Sequence, residues 1–172
     1  MIRLWQPDGL GWDQELIIPQ SAMKILSRMA PHEIGHAETA IYFGGRVLGI
    51  ALEPKPEGVI AQAIYETPED LSIEDRCTIF AAGSAGESLA FGKWGIEEAS
   101  GDQKDIISLD CPTGYEELVQ KATAILQGRR LRFDRLSHLL RKKVLYSDIE
   151  LMIGDLPMGK VGAFLLKTDD FR

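Results

Sequence analysis

The sequence predicts an α+β fold, mainly helical with a small β-sheet. Apolar residues recur at three- and four-residue spacing over four stretches, and two short runs rich in β-branched and aliphatic residues lie between the first two. Its 172 residues, 45% hydrophobic and 26% charged, are enough for one domain with a sizeable core. Residues 1–21, punctuated by Pro7, Gly9 and Gly11, are expected to form an arm packed on the domain, with 15–18 a short strand or an extended lead-in. Helical spacing then begins with Ala22, Ile25, Leu26 and Met29. Pro31 kinks that helix or restarts it, which places residues 32–43 on a helical segment closed by Gly44 and Gly45. Residues 47–52 and 59–65 read as strands around a turn at 54–58, forming a hairpin or two neighbours. Helical spacing returns over 71–91, where Ala81, Ala82, Gly83, Ala85 and Gly86 are small enough for another helix to approach closely.

Ser100 and Gln103 make a capping-box pattern for a helix over 101–109, with Asp102 in its first turn. Two amphipathic helices follow at 115–126 and 131–141, and Ser147 is placed to cap a third over 147–153. The domain is thus expected over residues 22–153, with 154–172 a tail to which the pattern assigns no role.

Charge and cysteine content narrow the function. With 26 acidic against 19 basic side chains the net charge is −7, which offers phosphate backbones and anionic membrane surfaces little attraction, so no nucleic-acid partner is expected. No stretch approaches the ~18 apolar residues of a membrane span, and the opening residues lack the pattern of a signal peptide, so no membrane insertion is expected either. Cys77 and Cys111 are far apart and form no CxxC, which fits a reducing, cytoplasmic setting.

The chemistry concentrates in His32-Glu33-Ile34-Gly35-His36, an H-E-x-x-H sequence on a predicted helix. Positions four apart stack on one helical face, so two imidazoles reach one Zn²⁺ while Glu33 points toward its open coordination position. The plain alternative is a capped helix with partly exposed histidines, in which Glu33 is favoured by the helix N-terminus. A catalytic zinc takes three protein ligands. His138 is the one other histidine and reads as a surface or packing residue on the last amphipathic helix, so the third ligand is expected to be a carboxylate. Glu87, Asp102 and Asp105 are candidates, and composition does not choose among them.

Residues 31–40, Pro31-His-Glu-Ile-Gly-His-Ala-Glu-Thr-Ala40, resemble the zinc helix of the FtsH-type ATP-dependent metalloproteases, where H-E-A-G-H-A is usual. The likeness continues in order and spacing. Leu48-Gly-Ile-Ala-Leu-Glu-Pro54 is similar to the family's strand ending in proline, and Ala81-Ala-Gly-Ser-Ala-Gly-Glu-Ser-Leu-Ala-Phe-Gly92 to its G-G-R-A-A-E-E-x-x-F-G helix. Glu98-Ala-Ser-Gly-Asp102 resembles T-G-A-S-N-D, and residues 133–149 resemble the terminal helices, so the likeness covers roughly residues 22–153. It implies that Asp102 completes the zinc site, with Asp105 as the fallback, and that Glu87 holds an imidazole from behind. The departures are Ser84 for the arginine, Ser88 for the second glutamate, Gly101 for the asparagine, Pro31 within the zinc helix, a shortened connection at residues 111–114, and no G-x-x-x-x-G-K-[ST] segment.

The expected function is therefore a zinc metallopeptidase acting alone and without ATP on short or unfolded polypeptides, or on those a separate partner delivers. In this reading Glu33 takes a proton from the zinc-activated water and passes it to the leaving amine. Leu48, Gly49, Ile50 and Ala51 are expected to offer a strand edge for an extended substrate, or else to be a core strand with no such role. The competing reading is a zinc-stabilised regulatory or interaction module that keeps the peptidase fold with little or no turnover. A further alternative is the repressor-cleaving, peptidase-like regulators with H-E-[IL]-G-H-A, against which the matches after residue 81 speak.

Overall fold

A computed structural model describes residues 2–6, 14–18, 20–55, 58–93, 99–146, 149–152 and 154–172. The fold is α+β, with five α-helices and a four-stranded antiparallel sheet. Pro7, Gly9, Gly11 and Ser147 lie outside the described residues.

The N-terminal arm supplies two strands, β1 (Ile2–Gln6) and β2 (Gln14–Ile18), paired antiparallel. Helix α1 (Gln20–Tyr42) then runs unbroken through Pro31, so the restart that proline suggests does not occur. A proline inside a helix costs ~3 kcal/mol through its missing N–H and its clash with the preceding turn. Tertiary packing offsets that cost here, because every residue from 30 to 40 is buried. The hairpin β3 (Arg46–Lys55) and β4 (Gly58–Glu66) follows, antiparallel with Ile50 opposite Ala63.

Helix α2 (Ile73–Phe91) starts on Ser72, whose hydroxyl accepts from the Asp75 N–H, and stops at Gly92, whose left-handed backbone (φ 75°) turns its N–H back to the Ser88 carbonyl. Its small residues serve the packing the sequence anticipates. A Cβ at Gly35 would overlap the Ala82 carbonyl and one at Gly86 the Pro31 carbonyl, so α1 and α2 meet almost backbone to backbone. Helix α3 (Ala99–Ser108) begins one residue before Ser100, which therefore sits in the first turn rather than at the cap. Helices α4 (Tyr115–Gly128) and α5 (Arg130–Tyr146) pack Leu118, Leu126, Phe133, Leu136 and Leu140 into the common core with Leu26 and Ile34 of α1.

The C-terminal third differs most from expectation. Residues 149–152 form strand β5 (Ile149–Met152), parallel to β1, where the cap-like Ser147 suggests a helix. Four residues, Ile149-Glu-Leu-Met152, are short of a stable helix and pair with the edge of β1 instead. Beyond it, β6 (Gly154–Leu156) and β7 (Lys160–Lys167) complete the larger sheet, in the order β4-β3-β7-β6. Strand β3 is therefore hydrogen-bonded on both sides, to β4 and to β7, at Gly49, Ile50, Ala51 and Leu52. The edge expected at Leu48, Gly49, Ile50 and Ala51 is closed by a strand more than a hundred residues downstream. Among the described residues the edge strands of this sheet are β4 and β6, and β4 is the one beside α1.

An ionic cluster ties these parts together. Glu38 of α1, with no exposed side-chain surface, accepts from Arg129 Nε at 2.9 Å and Arg132 Nε at 2.7 Å, and Arg132 also donates to the Phe171 carbonyl. No described helix is long and apolar enough to cross a membrane.

Candidate metal centre

Helix α1 turns His32 and His36 toward α2 and the start of α3, one helical turn apart and both buried. Asp102, in the first turn of α3, places its Oδ2 3.3 Å from His32 Nε2 and 3.5 Å from His36 Nε2. The three ligand atoms lie within 4.8 Å of one another, a spacing at which they could hold one metal ion. Each imidazole is fixed from behind. His32 Nδ1 lies 2.6 Å from Glu87 Oε1, and His36 Nδ1 lies 2.7 Å from the Ile79 carbonyl oxygen. A carbonyl only accepts, so His36 carries its proton on Nδ1 and keeps the Nε2 lone pair for a metal. The Glu87 carboxylate imposes the same tautomer on His32 and raises its basicity as a ligand.

Three features fit a cation. Asp102 Oδ2 is buried without a hydrogen-bond donor, which a native interior rarely tolerates in a carboxylate. Gly83 of α2 lies directly behind the ligand atoms, and a Cβ there would come within 2.5 Å of His32 Nε2 and 2.6 Å of His36 Nε2. The absence of a side chain at this position is what gives the two rings their room. The donor set of two imidazoles and one carboxylate suits Zn²⁺ with one coordination position left open.

The electrostatics agree. Burial works against a charged His32, but the Asp102 and Glu87 carboxylates outweigh it and lift its pKa from 6.5 to about 10. Burial likewise opposes the Asp102 charge, and the two imidazoles overcome it, holding the carboxyl well below the usual range. Without metal, a proton takes the place of the cation between these groups.

Glu33 is buried in the same cavity, of about 210 Å³, whose walls include His32, His36, Tyr65, Asp102 and Asp105. Its Oε2 accepts from the backbone N–H of Ala63 at 2.7 Å, so the open edge of β4 holds this carboxylate in place. Burial raises the Glu33 carboxyl above the ordinary glutamate range, while the imidazoles and the Ala63 amide draw it back. A carboxyl raised in this way holds a proton more readily than an exposed glutamate, which suits a group that accepts and returns one. A second cavity of about 310 Å³ shares Gln62, Ala63, Tyr65, Phe80 and Asp105 with the first and extends it toward Arg76 and Lys160.

The structure thus brings together His32, Glu33, His36, Glu87 and Asp102. Asp105 lines the cavity but is exposed and outside the ligand set. His138 is exposed on α5. Cys77 is buried, and burial together with the neighbouring Cys111 thiol pushes its pKa up to about 12. Sequence reasoning does not single out Tyr65, the Ala63 amide or the Ile79 carbonyl, since no spacing rule marks a residue whose role comes from a backbone atom or from a strand's position. Compared with known proteins, the chain matches no protein-family model and no curated protein.

Proposed function

We propose that this protein is a zinc-dependent metallopeptidase of the H-E-x-x-H type, with the domain architecture that the resemblance to FtsH-type peptidases implies. The observation that carries the reading is the convergence, in one cavity, of His32, His36 and Asp102 as a ligand set with Glu33 as a buried carboxylate beside an open strand edge. A structural metal site has no use for Glu33 in that position.

His32, His36 and Asp102 would hold the ion, which when bound supplies a Lewis acid that acidifies water and polarises a carbonyl. Glu33 accepts the proton of the attacking water as its oxygen bonds to the peptide carbon, and returns it to the amide nitrogen as the C–N bond breaks. The Ala63 N–H engages only Oε2, which leaves Oε1 for this transfer. An extended polypeptide would add to the outer edge of β4, where Ala61 shares the outward orientation of Ala63, with little dependence on side chains. Nothing in this chemistry calls for ATP. Unfolded or short polypeptides, alone or handed over by a delivery partner in a cytoplasmic setting, are the substrate class that fits.

The test is cleavage of a broad library of unstructured peptides by zinc-loaded protein without nucleotide, compared with Glu33→Gln. Wild type should cut and the variant, with zinc still bound, should be inactive. If neither cuts while both bind zinc, the regulatory-module reading replaces this one.

A further inference from the structure

We infer that the Tyr65 hydroxyl is a catalytic hydrogen-bond donor that stabilises the negative charge developing on the substrate's carbonyl oxygen. The inference rests on the peptidase reading and adds a residue to it.

Tyr65 lies on the edge strand β4, two residues beyond the amide that holds Glu33, and its side chain lines both the cavity with the ligand set and the adjoining one. It therefore stands where the two cavities join, the place an extended chain must pass. Among the described residues its hydroxyl has no hydrogen-bond partner, although the ring is half-buried and packed against the core. The hydroxyl is thus free to donate to a group bound in the cavity. Burial, with the nearby charges of Asp102, Glu33 and Asp105, pushes the pKa of this hydroxyl well up, so it keeps its proton and remains a donor at neutral pH.

The other groups leave the role open. His32 and His36 have Nδ1 committed to Glu87 and Ile79, with Nε2 facing Asp102. Glu33, Asp102 and Asp105 are carboxylates and, once ionised, only accept. Two side chains in the cavity wall can donate to an oxyanion, Tyr65 and Gln62. Even with its acidity lowered by burial and the neighbouring carboxylates, a phenol O–H donates more strongly than a carboxamide N–H, so its hydrogen bond gains more as charge builds on the acceptor. Met29, Ile60 and Phe80 line the cavity beside its polar groups, and one fixed oxyanion donor contributes about 10²–10³ in kcat.

The experiment compares wild type, Tyr65→Phe and Gln62→Ala, all zinc-loaded, by peptide kinetics and by calorimetric binding of a phosphinic analogue of tetra-alanine, whose tetrahedral oxygens mimic the reacting carbonyl. For Tyr65→Phe we expect unchanged zinc content, kcat lower by about 10²-fold with KM within about threefold, and analogue affinity weaker by a similar ~10²-fold. Equal or absent analogue binding in wild type and Tyr65→Phe would overturn the inference, as would loss of zinc from the variant or a larger effect of Gln62→Ala. Should wild type cleave nothing, the peptidase reading fails, and the analogue comparison still decides the role of Tyr65.

Discussion

At the scale of single residues the site is a set of mutually fixed protonation states. His32 must be neutral to ligate, yet in the metal-free fold its pKa is raised from 6.5 to about 10, so metal binding displaces a proton. Apparent zinc affinity should therefore rise about tenfold per pH unit between about pH 6 and pH 8, read by competition with a chromophoric chelator. The same shift has a sign for stability. A histidine raised on folding stabilises fully below its unfolded pKa of 6.5, and that contribution is lost as pH climbs toward about 10, so the metal-free protein's urea midpoint should fall across this window. In the proposed zinc site Glu87 would act through His32, and Glu87→Ala should weaken zinc binding by about 10–100-fold, whereas the exposed Asp105→Ala should leave it within about threefold. Asp102→Ala should cut affinity further still, since it removes a ligand.

Elements position these residues through how closely they approach. Gly83 is the contact between α2 and the imidazoles, so Gly83→Ala should expel the rings from their common point. The expected result is lost zinc binding and a stability cost of about 1–3 kcal/mol from overpacking, measured by chemical denaturation of the metal-free protein. The helices themselves are legible in the sequence because their apolar spacing is long and regular, and the small residues of α2 announce a close neighbour. The strands are not equally legible. Residues 149–152 follow a cap-like serine and are too few to set a period, and pairing with the edge of β1 makes them a strand. Strand β3 reads as an edge as long as β7 is unseen, and β7 joins it from the far end of the chain. His32, Glu33 and His36 are legible because one helix turn sets their geometry, whereas Asp102 emerges from three candidate acids by resemblance and only the fold places it between the two rings.

Across the whole molecule, one buried charge joins the first long helix to the last residues. Glu38 is enclosed, and its two arginines come from the α4–α5 junction and the start of α5, with Arg132 also reaching the Phe171 carbonyl. Glu38→Leu, which leaves two partly exposed arginines without their acceptor, should cost about 1–3 kcal/mol in urea unfolding. Removing residues 154–172 should be at least as damaging, since β7 closes β3 and Leu165 and Leu166 belong to the core. The C-terminal segment is thus part of what keeps α1, and the ligands on it, in place.

The central claim is that His32, His36 and Asp102 together hold a catalytic zinc, and zinc-edge anomalous diffraction from reconstituted crystals tests it most directly. One full-occupancy peak should lie ~2.0–2.2 Å from His32 Nε2, His36 Nε2 and an Asp102 carboxylate oxygen, with a fourth position facing Glu33. A peak held instead by Asp105 or Glu87, a site closed by four protein ligands, or no peak near α1 would contradict it.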